Sequence, residues 1–189
     1  TIFLKNSKNN FKKSYDACLL SYSPYPFNLD VTWDRQIITE LQVLKVFDDL
    51  GFKNILIKLK NSSPSKKKTE IKEIEIYKKI YEKIYKKKLK FNITISNKNF
   101  SDILSTPKLI VGGLSTAIIE ANKLTDYYLY EPAMNGYSEY EFNSIKAFNK
   151  NYINKDPKSL LKSIEQKNVL KLKKDVFNKD ISFSGTIDL

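Results

Sequence analysis

The residues with the clearest chemical pattern lie just past the middle of the chain, where a short apolar run is followed by two glycines, two hydroxyls and a carboxylate. Gly112 and Gly113 allow positive φ and a close approach of the backbone to a ligand. Ser115 and Thr116 are suited to cap a helix, whose first N–H groups and dipole attract an anion. Glu120, one turn into that helix, is placed to accept hydrogen bonds from sugar hydroxyls. The segment predicts a strand, a phosphate-binding loop and a helix that together hold a nucleotide.

An ordinary capped junction between a strand and a helix is the alternative interpretation, because such junctions occur in every α/β domain. Glu120 does not follow Ser115 or Thr116 by three residues, so it forms no capping box with either. This spacing removes one purely structural explanation for the carboxylate. A solvent-facing glutamate is the structural explanation that stays open.

The charge of the chain is strongly basic, with 33 lysine and arginine residues against 21 acidic ones and a net charge of +12. Arg35 is the only arginine, whereas bidentate recognition of bases and phosphates depends largely on arginine. The lysine runs at 66–68 and 86–90 flank a predicted helix, where charges usually form a solvated face. We therefore expect no specific nucleic-acid partner.

Two residue types that support much of enzyme chemistry are scarce. The chain has no histidine, so these residues contain neither a Ser-His-Asp relay nor a histidine zinc site. Cys18 is the single cysteine and lies in an apolar run, which is typical of a small buried residue in a reducing compartment. We expect no metal and no cofactor.

The length of 189 residues suits one α/β domain with a real core. We expect a single domain over residues 1–189, with its core at about 14–170 and a C-terminal strap at 171–189. The chain starts at Thr1 and shows neither a secretory leader nor an apolar run long enough to span a bilayer. These features favour a soluble piece of a longer, two-domain protein.

Short apolar runs alternate with longer amphipathic stretches along most of the chain. This alternation predicts a doubly wound, Rossmann-like parallel sheet of five or six strands with helices on both faces, and central burial of residues 17–21. Gly51 is expected to end the first helix. The predicted strands cover 16–22, 54–60, 91–95, 109–111 and 127–130. The predicted helices cover 34–50, 70–88, 139–148 and 157–166, with a helix ending near Lys123 and a short turn or helix at 100–104.

Ligands of open parallel sheets bind beyond the carboxyl ends of the strands, so the loops that follow the strands supply the remaining candidates. These are Ser23 and Tyr25 after the first strand, Lys58, Lys60, Asn61 and Ser62 at the second, residues 112–116 at the fourth, and Glu131 and Asn135 at the fifth. Lys58 and Lys60 are equally compatible with the solvated end of an edge strand, and Glu131 with a simple strand end.

The arrangement resembles the C-terminal, nucleotide-sugar-binding half of GT-B fold glycosyltransferases, particularly bacterial enzymes that build capsules and other surface polysaccharides. The resemblance covers roughly residues 14–170. It rests on Ile-Leu-Ile-Lys at 55–58, and on Gly-Gly-Leu-Ser-Thr-Ala-Ile-Ile-Glu-Ala at 112–121 with Tyr-Leu-Tyr-Glu-Pro at 128–132 behind it. It implies that Ser115 and Thr116 bind the donor phosphate, that Glu120 binds the ribose, and that Lys58 lies beside the phosphate loop.

The chain departs from that family at one point. Several polysaccharide transferases carry a His-Pro pair just after the lysine, where this chain has Leu-Lys-Asn-Ser at 59–62. Lys60 is a candidate replacement cation. The resemblance further implies that the glycan acceptor and the catalytic base belong to a missing N-terminal domain, and that this half alone has little or no activity.

The resemblance also implies a cytoplasmic location, either free or at the inner face of the bacterial membrane. Two other classes stay open: a sugar-nucleotide epimerase of the same architecture, and a basic, non-enzymatic module that binds nucleic acid or a protein partner. The sequence indicates neither the catalytic residues nor the oligomeric state.

Overall fold

The computed structural model describes residues 14–21, 33–59, 67–96, 98–113, 117–121, 124–132 and 150–171. The elements formed by these residues are β1 (Tyr15–Leu20), α1 (Trp33–Asp49), β2 (Asn54–Lys58), α2 (Lys67–Tyr85), β3 (Asn92–Ser96), α3 (Phe100–Ile103), β4 (Pro107–Gly112), α4 (Ala117–Ala121), β5 (Asp126–Tyr130), β6 (Ile153–Asn154) and α5 (Pro157–Glu165). The predicted helix at 139–148 and the strap beyond Lys171 lie outside the described residues.

The strands form one open, all-parallel sheet in the order β3-β2-β1-β4-β5-β6. The predicted parallel α/β sheet is therefore confirmed. Strand β1 lies in the centre, and Ala17 pairs with Ile55 of β2 on one side and Leu109 of β4 on the other. Residues 17–19 are fully buried, whereas Leu20 and Ser21 are only half-buried because they lie at the carboxyl edge of the sheet.

Alternate residues of each central strand face opposite sides of the sheet, so the core consists of two apolar layers. One layer joins Leu19 and Ile57 to buried side chains of α1, α2 and α5. The other joins Cys18 and Ile110 to buried side chains of α3 and α4, including Ile118. Helices cover both faces, as the alternation of the sequence predicts.

Helix α1 ends at the glycine that the sequence indicates. Gly51 has φ +71°, a conformation that costs glycine little because it has no Cβ. Its N–H donates to the carbonyl of Asp48 at 3.0 Å, and the N–H of Phe52 donates to the carbonyl of Phe47 at 3.1 Å. These bonds satisfy two carbonyls of the last turn, and they direct the chain into β2.

Strand β6 was not predicted, because two residues are too short to show periodicity. Its Asn154 is buried and donates from Nδ2 to the carbonyl of Leu129 at 3.0 Å, while Ser163 Oγ donates to its Oδ1 at 2.6 Å. The next helix, α5, begins with a capping box in which Ser159 N donates to the Asp156 carboxylate at 2.9 Å. No helix in the described parts of the chain combines the length and apolarity needed to cross a membrane.

Candidate functional site

The connections that leave the two central strands run to opposite faces of the sheet. Helix α1 follows β1 and packs on one face, whereas α4 follows β4 and packs on the other. Because β1 and β4 are neighbours, their carboxyl ends form the topological switch point, at which a crevice for ligands opens in sheets of this kind. The register that pairs Leu19 with Val111 brings Ser21 and Gly113 to the same level on the two sides of this crevice.

Gly112, the first of the two glycines at the end of β4, is required by packing. A Cβ on Gly112 would lie 2.6 Å from the hydroxyl of Tyr127 and 2.9 Å from Cβ of Leu20. Gly112 belongs to the extended strand and does not use the positive φ that glycine allows. The Tyr127 hydroxyl that fills the space donates to the carbonyl of Gly113 at 2.8 Å. This contact fixes the backbone at the carboxyl end of β4.

A cluster of polar side chains lies on the α1 side of the crevice, and we call Ser21, Gln36, Glu40 and Tyr77 the Glu40 cluster. Ser21 Oγ donates to Glu40 Oε1 at 2.7 Å. Gln36 Nε2 donates to the same oxygen at 3.0 Å and to Ser21 Oγ at 3.2 Å. The hydroxyl of Tyr77 donates to Glu40 Oε2. One fully buried carboxyl group thus links the end of β1 to α1 and α2.

Lys58 ends β2 on the opposite face, and Cys18 of the neighbouring β1 lies close to it. Lys58 is buried, and its ammonium donates to the carbonyl of Leu59. Burial lowers the pKa of Lys58 from its ordinary value, and the nearby Cys18 partly opposes this effect. Burial raises the pKa of the Cys18 thiol to about 12. Lys58 is therefore a buried lysine, in contrast to the solvated edge cation that the sequence left open.

The buried end of β5 completes this side of the edge. Glu131 follows the strand and is buried, and its N–H donates to the carbonyl of Asn154 at 2.9 Å. Burial raises the pKa of the Tyr127 hydroxyl well above its usual range, and the charge of Glu131 adds to this effect. A neutral Tyr127 keeps the proton that it donates to Gly113.

Of the site residues indicated by the sequence, Lys58, Gly112, Gly113 and Glu131 come together at the carboxyl edge of the sheet. Glu120 is exposed on α4, whose Ile118 and Ala121 are the buried side chains. The remaining candidates lie outside the described residues: Ser23, Tyr25, Lys60, Asn61, Ser62, Ser115, Thr116 and Asn135.

Gln36, Glu40 and Tyr77 are not among the site residues that the sequence indicated. The signal was present, because Gln36 and Glu40 share a helical stripe with Val43 and Phe47, and all four are buried. The second turn of α1 exposes Ile38, which is 40% accessible. Near its amino end the helix thus places polar side chains on the buried stripe and an isoleucine in solvent.

Comparisons of the chain with protein-family models, with curated proteins and with solved structures found no match. Within the described residues, no three histidine, cysteine or carboxylate side chains cluster as a metal site requires.

Proposed function

We propose that the chain is the nucleotide-sugar-binding, donor-side domain of a glycosyltransferase that makes a surface polysaccharide or glycoconjugate. The observation that carries this proposal is the switch point between β1 and β4, where a glycine pair ends β4 beside the half-buried end of β1. Parallel sheets with this strand order bind nucleotides at the switch point, with phosphate near a helix start.

The proposed division of the ligand follows the chain beyond β4. The phosphate lies against the loop after Gly113, where Ser115 and Thr116 supply hydroxyls and the start of the helix supplies N–H groups. Glu120, exposed on α4, accepts hydrogen bonds from the ribose. The hydroxyls and N–H groups at the phosphate stabilise the departing nucleoside phosphate. The glycan acceptor and the base that activates it come from a second domain.

Calorimetric titration of the 189-residue chain tests this division. The ligands are UDP, GDP and CMP, each compared with its free nucleoside. We expect the double variant Ser115→Ala, Thr116→Ala to lose about 1.5 to 3 kcal/mol per hydroxyl in nucleotide affinity, because each bonds a charged group, and to lose less for the nucleoside. Glu120→Ala is expected to weaken the nucleotide and the nucleoside alike.

Exposed residues elsewhere supply the controls. Ser101→Ala in α3 and Glu82→Ala in α2 change exposed side chains of the same types, and we expect no change in affinity from either. Melting temperatures of all variants separate ligand contacts from helix capping. The proposal would be contradicted if the Ser115, Thr116 and Glu120 variants kept their affinity, or if they lost affinity only in proportion to their melting temperature. The segment would then be an ordinary capped helix.

A non-enzymatic, nucleic-acid-binding module is the competing class, and titration of the chain with DNA at two salt concentrations tests it. If nucleic-acid binding depends only on the net charge of +12, we expect weak binding of single-stranded or duplex DNA. The binding constant should then fall steeply between about 50 and 200 mM salt, as counterion release predicts. Sequence-specific binding that persists at the higher salt would favour this class over a glycosyltransferase domain.

A further inference from the structure

The β1 side of the crevice presents hydrogen-bond acceptors. The proton of the Ser21 hydroxyl is directed at Glu40 Oε1, so the hydroxyl offers a lone pair, and not a proton, to any further partner. Gln36 directs its N–H groups to Glu40 and Ser21. Its Oε1 is buried and has no hydrogen-bond partner in the described parts of the chain. The protons of both side chains are therefore engaged in hydrogen bonds, whereas an oxygen of each side chain can still accept one.

Glu40 imposes this polarity. Both oxygens of Glu40 accept hydrogen bonds from the cluster. An ionised carboxyl group only accepts, so with Glu40 ionised Ser21 and Gln36 point their protons at it and the amide of Gln36 has one favourable orientation. A hydroxyl that donates to a carboxyl group is also polarised, which makes its oxygen a better acceptor. Ser21 is the half-buried member of the cluster, and it lies at the switch point level with Gly113. It is the group through which the cluster reaches the crevice.

A phosphate is also an acceptor, so this side of the crevice disfavours it. Hydroxyl groups of a sugar are donors and match it. We propose that Ser21 binds a hydroxyl of the sugar moiety of the ligand, and that Glu40 and Gln36 are positioning residues that orient its oxygen for this contact. The inference rests on the proposed nucleotide-sugar function and assigns the sugar to the β1 side of the crevice and the phosphate to the β4 side.

The cluster is larger than anchoring of α1 and α2 requires. Gln36, Glu40 and Tyr77 occupy buried positions in the apolar layer between the sheet and these helices. Apolar residues of similar volume often serve such positions at equal or better stability, because they avoid the desolvation of polar groups. A network that fixes the proton of one half-buried serine has a role in recognition that an apolar contact does not provide.

Calorimetric titration with matched ligand pairs tests the assignment. The probes are UDP with UDP-glucose, GDP with GDP-mannose, and CMP with CMP-N-acetylneuraminate, and the pair that the wild-type chain binds is used for the variants. We expect Ser21→Ala to weaken the nucleotide sugar about fivefold to tenfold, the effect of one lost hydrogen bond, with unchanged affinity for the free nucleotide. Ser21→Thr keeps the hydroxyl and is expected to restore sugar binding.

Two further variants separate positioning from stability. Glu40→Gln gives the cluster a competing donor, so it is expected to weaken the nucleotide sugar when Ser21 is present and to have no further effect in Ser21→Ala. Gln42→Met is the matched control in α1. It removes an amide whose Oε1 already accepts from the hydroxyl of Tyr130 at 2.6 Å, and we expect it to leave both affinities unchanged.

The outcomes distinguish this inference from the proposed function. Nucleotide binding in which Ser21→Ala weakens the free nucleotide and the nucleotide sugar equally, or weakens neither, overturns the sugar assignment and leaves the nucleotide proposal standing. A wild-type chain that binds none of the six probes overturns both. Loss confined to the nucleotide sugar, rescued by threonine and coupled to Glu40, supports the assignment.

Discussion

A carboxyl group accepts several hydrogen bonds at each end of strand β1, and the two carboxyl groups differ in burial and in the donors that bind them. At the amino end, Asp16 accepts hydrogen bonds from the backbone N–H groups of Lys53 at 2.8 Å and Asn54 at 3.0 Å, and from the ammonium of Lys108 at 2.7 Å. At the carboxyl end, Glu40 accepts from the side chains of Ser21, Gln36 and Tyr77. The Asp16 side chain is 19% exposed, and Glu40 is fully buried.

The difference separates a carboxyl group close to solvent from one that is fully buried. Water can replace part of what Asp16 provides, and its donors belong to the neighbouring strands. Water cannot reach Glu40, so its donors depend on it, and one of them, Ser21, extends to the crevice between β1 and β4. The amino edge of the sheet is therefore closed by local contacts, whereas the carboxyl edge contains an ordered, half-buried hydroxyl group to which we assign a ligand contact by proposal.

Replacement of Glu40 is expected to have the largest effect on stability. Glu40→Ala leaves three buried or half-buried donors without their acceptor and opens a cavity, at a cost of about 3 to 5 kcal/mol in the free energy of unfolding. Asp16→Ala is expected to cost only about 1 kcal/mol, because its partners are close to solvent. Urea unfolding of the two variants measures both values, and equal losses would contradict the contrast between the two ends of β1.

A second test concerns the packing at the end of β4. Gly112→Ala places a Cβ against the Tyr127 hydroxyl and Leu20, and we expect this overpacking to cost about 1 to 3 kcal/mol. Tyr127→Phe removes the hydroxyl, so the same substitution is expected to cost less in that background. Thermal unfolding of the two single variants and the double variant gives the coupling between the sites.

Gly51→Ala is the matched glycine control, because its Cβ would meet nothing within 4 Å. Its cost of about 1 kcal/mol arises from φ alone, and Tyr127→Phe should not change it. If Tyr127→Phe failed to lower the cost of Gly112→Ala, the close approach at the end of β4 would not be what requires a glycine there.

The architecture was accessible from the sequence because it depends on periodicity. Short apolar runs and amphipathic stretches gave the strands β1 to β5 and the helices α1, α2 and α5 to within a few residues at each end. Helix α4 covers part of the predicted helix that ends near Lys123. Strand β6 was not predicted from the sequence, because it has only two residues and one of them is a buried asparagine held by hydrogen bonds.

The candidate site was only partly accessible, for a physical reason. The glycine pair and Lys58 lie at strand ends, which the apolar pattern of the sequence is sufficient to locate. Gln36 and Glu40 of the Glu40 cluster are four positions apart on one helix. The other hydrogen bonds of the cluster join residues that are 15 to 37 positions apart, and only the fold brings these residues together. Gln36 and Glu40 resemble surface residues in composition, and the displacement of Ile38 into solvent becomes visible only when the orientation of α1 is known.

The hydrogen bonds of Asp16 at the amino end of β1 predict a loss of stability in acid. Burial alone would raise the pKa of Asp16, but hydrogen bonds from Lys108, Lys53 and Asn54 outweigh it and lower the pKa below the ordinary 3.8. The resulting stabilisation is present above the ordinary value and is lost as the pH falls through the lower native one. The difference in unfolding free energy between wild type and Asp16→Asn should be constant from pH 7 to 5 and shrink below about pH 4. A difference that persists unchanged in acid would exclude this role for the carboxylate.

The last test concerns Cys18, which lies between the two ends of β1. Its thiol is fully buried, and burial raises its pKa to about 12, so little thiolate forms at neutral pH. We expect iodoacetamide to label native Cys18 only through opening of the central strand, with a rate that rises in Glu40→Ala as stability falls. Rapid labelling of the folded wild type would contradict the central position of β1.

The measurement that addresses the carboxyl edge most directly is a nuclear magnetic resonance titration of the ¹⁵N-labelled chain with UDP, GDP, CMP and their sugar conjugates. If ligands bind at the switch point, saturable shifts will concentrate at the amides of Ser21, Gly112 and Gly113, and the amides of Asn54 and Lys108 at the opposite edge will stay unchanged. Shifts confined to the amino edge, or no saturable shift with any nucleotide, would contradict a nucleotide-sugar site at the carboxyl ends of β1 and β4.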